Sequence, residues 1–282
     1  MKHKLIIVEG IPGSGKSTIA KKIEQYLISK NIKAKMYREG DAHPADLAWL
    51  ACIPTAEYIE LLNKFSEQKE IIEKNTIIEG EFALVAYLNL GFLIGQNDLM
   101  KYLESKEVYD GRVGFQIFKY LHFCRWQKFV NDTKDDEIVI FECSFLQNHV
   151  NELILVYNKD YGFIRNYLSE LADIIQSLNP LMIYLKQQDV NETIRRVAAE
   201  RLSPKPEIEP DWIDRVIEYI GKSKYGKMNQ IIDFDGLVKY FEHRQNIELE
   251  LLQDLPIKSG IVFDPDFDWK VIWNKIEAIL NS

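Results

Sequence analysis

The run Gly10-Ile11-Pro12-Gly13-Ser14-Gly15-Lys16-Ser17-Thr18 combines residue types and a spacing that suit the holding of a phosphate chain. Its glycines allow the backbone to curl until successive N–H groups point inward as an anion nest. A helix beginning near Ser17 adds the positive end of its dipole and its unpaired N–H groups. Lys16 has the reach for the β and γ phosphates of a triphosphate, and the Ser17 hydroxyl suits one coordination position on Mg2+. Gly10, Gly13, Ser14, Gly15, Lys16, Ser17 and Thr18 are therefore the expected nucleotide-binding set. A short apolar stretch precedes the run, and Ile19, Ala20, Ile23 and Leu27 follow it at helical spacing, the flanks such a loop needs.

Phosphate binding alone names no reaction, which depends on what else the chain offers. In Phe141-Glu142-Cys143-Ser144 an acid directly follows an apolar run, where it can organise Mg2+ or accept a proton from an attacking hydroxyl. In Glu39-Gly40-Asp41-Ala42-His43-Pro44, Asp41 and His43 can contact an acceptor, with Glu39 beside them. Whether Glu142 or Asp41 is the base stays open. Arg195, Arg196 and Arg201 are spaced so that two or more guanidinium groups project from one side of a helix, as neutralisers of charge on a transferred phosphoryl group. Asp110, Arg112, Arg125 and Trp126 are candidates for an acceptor pocket, Trp126 by stacking and the charged groups by orientation, and Gln147 is a further candidate close after Glu142. His149 reads as a structural histidine, since no second His or Cys stands at ligand spacing.

These groups need a scaffold. Residues 4–8, 32–38, 138–141, 181–185 and 260–263 read as strands, four of them near-continuous apolar runs and the second, with Lys33 and Lys35, alternating. Helical patterns between them predict an α/β, doubly wound five-stranded parallel sheet, with ligands at the carboxyl ends of its strands. The second and third strands lie far further apart than one crossover helix requires, so residues 42–136 are expected to form a largely helical insertion roofing an acceptor site. Residues 1–41 and 137–282 make up the core, with a lid near 191–228 that includes three prolines between Ser203 and Pro210.

A chain of 282 residues, 46% apolar and 28% charged, belongs among ordinary globular proteins. A net charge of −8 without an offsetting basic cluster argues against a nucleic-acid partner. Cys52, Cys124 and Cys143 lack any C-x-x-C pairing, which fits reduced thiols and a cytoplasmic location. The longest apolar stretch, residues 82–95, is interrupted by Asn89 and falls short of the ~20 residues of a membrane span. It is expected to be a buried helix, and no membrane association is predicted. A homodimer is compatible with the sequence.

The phosphate loop, the Glu142-Cys143-Ser144 turn and the Pro180–Leu185 run followed by Arg196 and Arg201 together resemble the thymidylate kinase and deoxynucleoside kinase group of P-loop kinases. The resemblance implies Mg2+-ATP as donor, a helical lid, Glu142 in the place of the catalytic carboxylate, and Arg196 and Arg201 as lid arginines. Cys143 stands where an arginine is usual in that group, which leaves the acceptor open. The leading expectation is transfer of the γ-phosphoryl of ATP to a small-molecule acceptor, as a hydroxyl. A nucleoside or nucleoside-monophosphate kinase is the alternative within the class, and a nucleotide-binding regulatory module with slow ATPase activity is the alternative outside it.

Overall fold

The computed structural model describes residues 2–38, 43–95, 97–205, 207–264 and 268–282. Two compact units emerge, one of Met1–Glu39 with Asp132–Ser282 and one of Gly40–Asn131.

The first unit opens with β1 (Leu5–Glu9), α1 (Lys16–Ser29) and β2 (Lys33–Tyr37). The second contains β3 (Leu50–Pro54), α2 (Thr55–Lys64), α3 (Lys69–Lys74), β4 (Thr76–Glu79), β5 (Phe82–Ala86), α4 (Tyr87–Ile94), α5 (Asp98–Glu104) and nearly all of α6 (Phe115–Asp132). The first then resumes with β6 (Glu137–Glu142), α7 (Gln147–Leu155), α8 (Tyr161–Ile175), β7 (Leu181–Leu185), α9 (Val190–Glu200), α10 (Trp212–Lys222) and α11 (Lys224–Met228). It ends with α12 (Phe234–Asp254), β8 (Lys258–Val262) and α13 (Trp269–Asn281).

The five strands of the first unit form one parallel sheet in the order β2-β6-β1-β7-β8. The three inner strands are apolar because both of their faces are covered, and β2 alternates because it is an edge. Ile19, Ala20, Ile23 and Leu27 of α1 and Ile272, Ile276 and Leu280 of α13 pack on Ile6, Val8, Ile140 and Ile183. Tyr184, one residue along from Ile183, points to the opposite face, where its hydroxyl donates to Glu248 of α12 at 2.6 Å. In register, Val8 stands beside Glu142 and Glu9 beside Tyr184, so both acids mark carboxyl ends of adjacent central strands.

The second unit departs from the largely helical expectation. It has its five helices, but also an antiparallel sheet in the order β3-β5-β4, closed between β4 and β5 by a two-residue turn at Gly80, φ +57°. The stretch 82–95, expected as one buried helix, is β5 followed by α4. Ala51, Ile53, Ala83 and Val85 of this sheet share a core with Tyr58, Leu61, Ile72, Leu99 and Leu103 from the helices. Among the described residues no helix is long and apolar enough to cross a membrane.

Candidate functional site

The phosphate loop sits at the carboxyl end of β1. Gly10, Gly13 and Gly15 all have positive φ, at +146°, +81° and +89°. A Cβ on Gly10 would stand 2.7 Å from the Ser14 Oγ and 2.8 Å from the Leu185 carbonyl, so the turn admits no side chain there. Gly15 is the N-cap of α1 and supplies no side-chain cap, which leaves the first N–H groups of the helix for a ligand. The Lys16 ammonium donates to the carbonyls of Gly10 and Ile11, both at 2.9 Å, and lies folded over the loop.

Two observations fit this loop to a phosphate chain with its metal ion. The buried Ser14 and Ser144 hydroxyls make no hydrogen bond among the described residues. The Ser17 hydroxyl donates to the carboxylate of Glu142, which is 6% exposed. A hydroxyl and a carboxylate side by side are oxygen donors of the kind Mg2+ takes, and Mg2+ ordinarily completes its shell with phosphate and water. Cys143, next in the chain, is buried with φ +67°, an uncommon conformation for a side-chain-bearing residue, and turns the chain sharply after Glu142.

Behind the loop lies a polar layer that sequence reasoning missed. Glu9 is fully buried and accepts the N–H groups of Phe145, Leu146 and Gln147 at 2.9, 2.8 and 3.2 Å, which ties the end of β1 to the start of α7. Burial, with nearby Glu248 adding to it, pushes the Glu9 carboxyl up to about 7 against the pull of those N–H groups. Arg244 donates to the Gly10 carbonyl at 3.3 Å and to Asn151 at 3.1 Å, and forms an ion pair with Glu248 at 3.0 Å, both side chains being at most 1% exposed. Gln187, just past β7, is fixed by Gln245 of α12 in both directions, at 2.9 Å each. A lone acid ending an otherwise apolar strand was the visible signal for Glu9; Arg244 and Glu248 read in sequence as an ordinary solvated pair on a helix.

Of the three α9 arginines, Arg196 reaches the loop, donating to the Gly13 carbonyl at 3.1 Å. Arg195 instead bonds Asn191 at 2.7 Å and lies 4.4 Å over the Phe234 ring, and Arg201 is exposed at the end of α9, 5.0 Å over Trp212. Gln147 is buried at the first turn of α7, with its side-chain oxygen unbonded among the described residues. His149 faces the Phe145 carbonyl at 2.8 Å through Nδ1, and burial pushes its pKa down to about 4, as a structural histidine requires.

The remaining candidates lie in the second unit. Glu39 and Asp41 fall outside the described residues. Asp110 and Arg112 are exposed. Trp126 is fully buried and edge-on to Phe129, so it offers no face for stacking a ligand. Arg125 is also buried and donates to the His43 carbonyl at 3.1 Å. The His43 ring accepts the N–H groups of Ala45 and Asp46 at Nδ1, at 3.1 and 2.8 Å, which leaves its proton on Nε2. Burial and neighbouring Arg125 push its pKa down to about 3. His43, Asp46 and Arg125 line a cleft of about 170 Å3 together with Trp49, Leu88 and Asn89.

Comparison with known proteins now has this geometry to stand on. Residues 4–51 match the family model described as "Chromatin associated protein KTI12". The cytidylate kinase of Saccharolobus islandicus strain L.S.2.15 is 30% identical over 208 residues, spanning 67% of this chain and 99% of that protein. The cytidylate kinase of strain Y.G.57.14 matches to the same extent. A solved thymidylate kinase from Candida albicans aligns with 99% of this chain and 93% of its own at 14% identity and a TM-score of 0.42. With a relative aligned along nearly its whole length and a phosphate loop at the carboxyl end of a parallel strand, the chain belongs to the P-loop nucleotide kinases.

Proposed function

We propose that the protein transfers the γ-phosphoryl group of Mg2+-ATP to the phosphate of a pyrimidine nucleoside monophosphate. The observation that carries this reading is the hydrogen bond between Ser17 and Glu142 at the rim of the glycine loop. It engages the carboxylate on the side where Ser17 would hold the metal, which suits an acceptor that needs no general base. An acceptor phosphate is such a group, since its second pKa is about 6 and its oxygens are already ionised at neutral pH. A hydroxyl acceptor, the leading expectation from sequence, would need a carboxylate held ready to take its proton. The relatives named cytidylate kinases support the same choice.

In this reading the loop N–H groups and Lys16 hold the donor phosphates, with Lys16 released from the Gly10 and Ile11 carbonyls as it turns to the ligand. Ser17 and Glu142 hold Mg2+, which when bound neutralises charge on the β and γ phosphate oxygens. Arg196, already at the Gly13 carbonyl, supplies a guanidinium to the transferring group. The bond from the γ phosphorus to its bridging oxygen breaks, and one to an acceptor oxygen forms, yielding ADP and a nucleoside diphosphate.

The test is Glu142→Gln. Transfer should fall at least about a hundredfold while ATP binding in the absence of Mg2+ is kept, and the Mg2+ concentration needed for half-maximal rate should rise. Equal loss of metal-free ATP binding and turnover would remove Glu142 from the metal site. A second reading, a nucleotide-dependent partner of another protein, is favoured by the match of residues 4–51 to the KTI12 family. It predicts tight ATP binding with no acceptor-stimulated ADP release.

A further inference from the structure

We infer that the cleft of the second unit is a base-recognition site, in which Trp49 stacks on a single-ring base and Asp46 and Asn89 select one bearing an exocyclic amine. The inference rests on the nucleotide-kinase reading for the identity of the ligand, and on the second unit alone for its geometry.

Trp49 carries the argument. It is a bulky residue held at φ +65°, where such side chains are genuine outliers. Its N–H donates to Glu107 at 3.2 Å, its carbonyl accepts the Tyr87 N–H at 3.2 Å, and the Tyr87 hydroxyl donates to the same Glu107. This arrangement maintains a strained backbone and leaves the indole 45% exposed where it lines the cleft, although the surrounding sheet and helices bury most of their aromatic residues. The indole rests edge-on against Tyr87 at 6.2 Å between centroids, a contact that braces the ring while leaving a broad face for another planar group. The buried Trp126 cannot do this.

The polar lining decides which ring. Asp46 is 5% exposed and one of its oxygens accepts the Tyr109 hydroxyl at 2.6 Å. An ionised carboxylate has about four acceptor sites and no donor, so towards a ligand it favours N–H groups. Asn89 makes no hydrogen bond to the other described residues, and its amide can donate to a ring nitrogen or carbonyl. Cytosine presents an amine donor beside acceptors and satisfies both groups. Uracil and thymine place a carbonyl where cytosine has its amine, so acceptor would face acceptor at Asp46. At about 170 Å3 the cleft is smaller than the ~300–1,000 Å3 that encloses a whole drug-sized ligand, which suits one ring with the sugar and phosphate outside it.

The experiment uses the full chain and titrates CMP and UMP by calorimetry, with cytidine and uridine as phosphate-free arms. Trp49→Asn removes the indole and suits a positive φ, so it does not burden folding. Asn89→Ala tests the second contact, and circular dichroism checks each variant. CMP should bind the parent at least about tenfold more tightly than UMP, and Trp49→Asn should weaken CMP by about tenfold or more. Asn89→Ala should weaken CMP and narrow its margin over UMP. Unchanged CMP affinity in both folded variants overturns the site, and equal affinity of CMP and UMP in the parent overturns the amine selection. Trp49-dependent CMP binding without phosphoryl transfer would leave the site standing and remove the kinase reading. CMP phosphorylated as well by Trp49→Asn as by the parent would do the reverse.

Discussion

Glu9→Gln isolates the buried acid that joins the phosphate-loop strand to α7. In the folded protein its carboxyl titrates near 7, raised from 4.5 chiefly by burial and then by Glu248. Between those values the folded protein keeps a proton that the unfolded chain has released, so Glu9's contribution to stability is fully present below 4.5 and is lost as pH rises through 7. At about 1.4 kcal/mol per unit the loss is of the order of 3 kcal/mol. His149 works in the opposite sense: its folded pKa is down to about 4 from 6.5, so its contribution is lost as pH falls through that range. The two effects offset each other in the parent, and the difference between parent and variant exposes Glu9. Native-state amide exchange of β1, corrected for intrinsic rates, measures stability at about pH 5 and about pH 8. Glutamine keeps one acceptor oxygen for Phe145 and Leu146, so the variant should pay a constant penalty and lose the pH-dependent part. Relative to the parent, Glu9→Gln should therefore be worse at the lower pH by up to about 3 kcal/mol more than at the higher. A pH-independent difference would mean that Glu9 stays ionised throughout, held so by its three N–H donors.

Removing Arg244 as Arg244→Met leaves Glu248 buried without its ion-pair partner and releases the Gly10 carbonyl, so stability measured by urea unfolding should drop by about 3–5 kcal/mol. The exposed pair of Lys222 and Glu218 is the control: Lys222→Ala should change the same measurement by under about 1 kcal/mol. Gly15→Ala puts a Cβ 2.4 Å from the Trp269 ring at φ +89°, and ATP affinity by calorimetry should fall at least about tenfold. Gly95→Ala, also at positive φ but with nothing within 4 Å, should cost only about 1 kcal/mol and leave ATP affinity alone.

The parallel sheet was legible because burial on both faces leaves a mark in sequence. β1, β6 and β7 are almost unbroken apolar runs, and the alternating Lys33 and Lys35 announced an edge. The second sheet was not, because β5 is five apolar residues running directly into α4, and so short a run has no periodicity to separate strand from helix. Trp126 and its neighbours Phe118, Leu121 and Phe129 recur at helical spacing because they are core, which is why a stacking role did not fit Trp126. Trp49 had no signal at all, since its exposure follows from a backbone angle and from contacts with residues distant in the chain. Arg195, Arg196 and Arg201 look alike in sequence; only the turn geometry of α9 directs Arg196 to Gly13 and Arg195 to Phe234.

The most direct test of the account is ADP release from Mg2+-ATP in the presence of CMP, UMP, dTMP and simple hydroxyl acceptors, with Lys16→Ala as the blank. Release that CMP stimulates, with CDP formed in equal amount and both lost in the blank, is the predicted result. Tight ATP binding with no release stimulated by any nucleoside monophosphate, or stimulation by a hydroxyl acceptor alone, would contradict it.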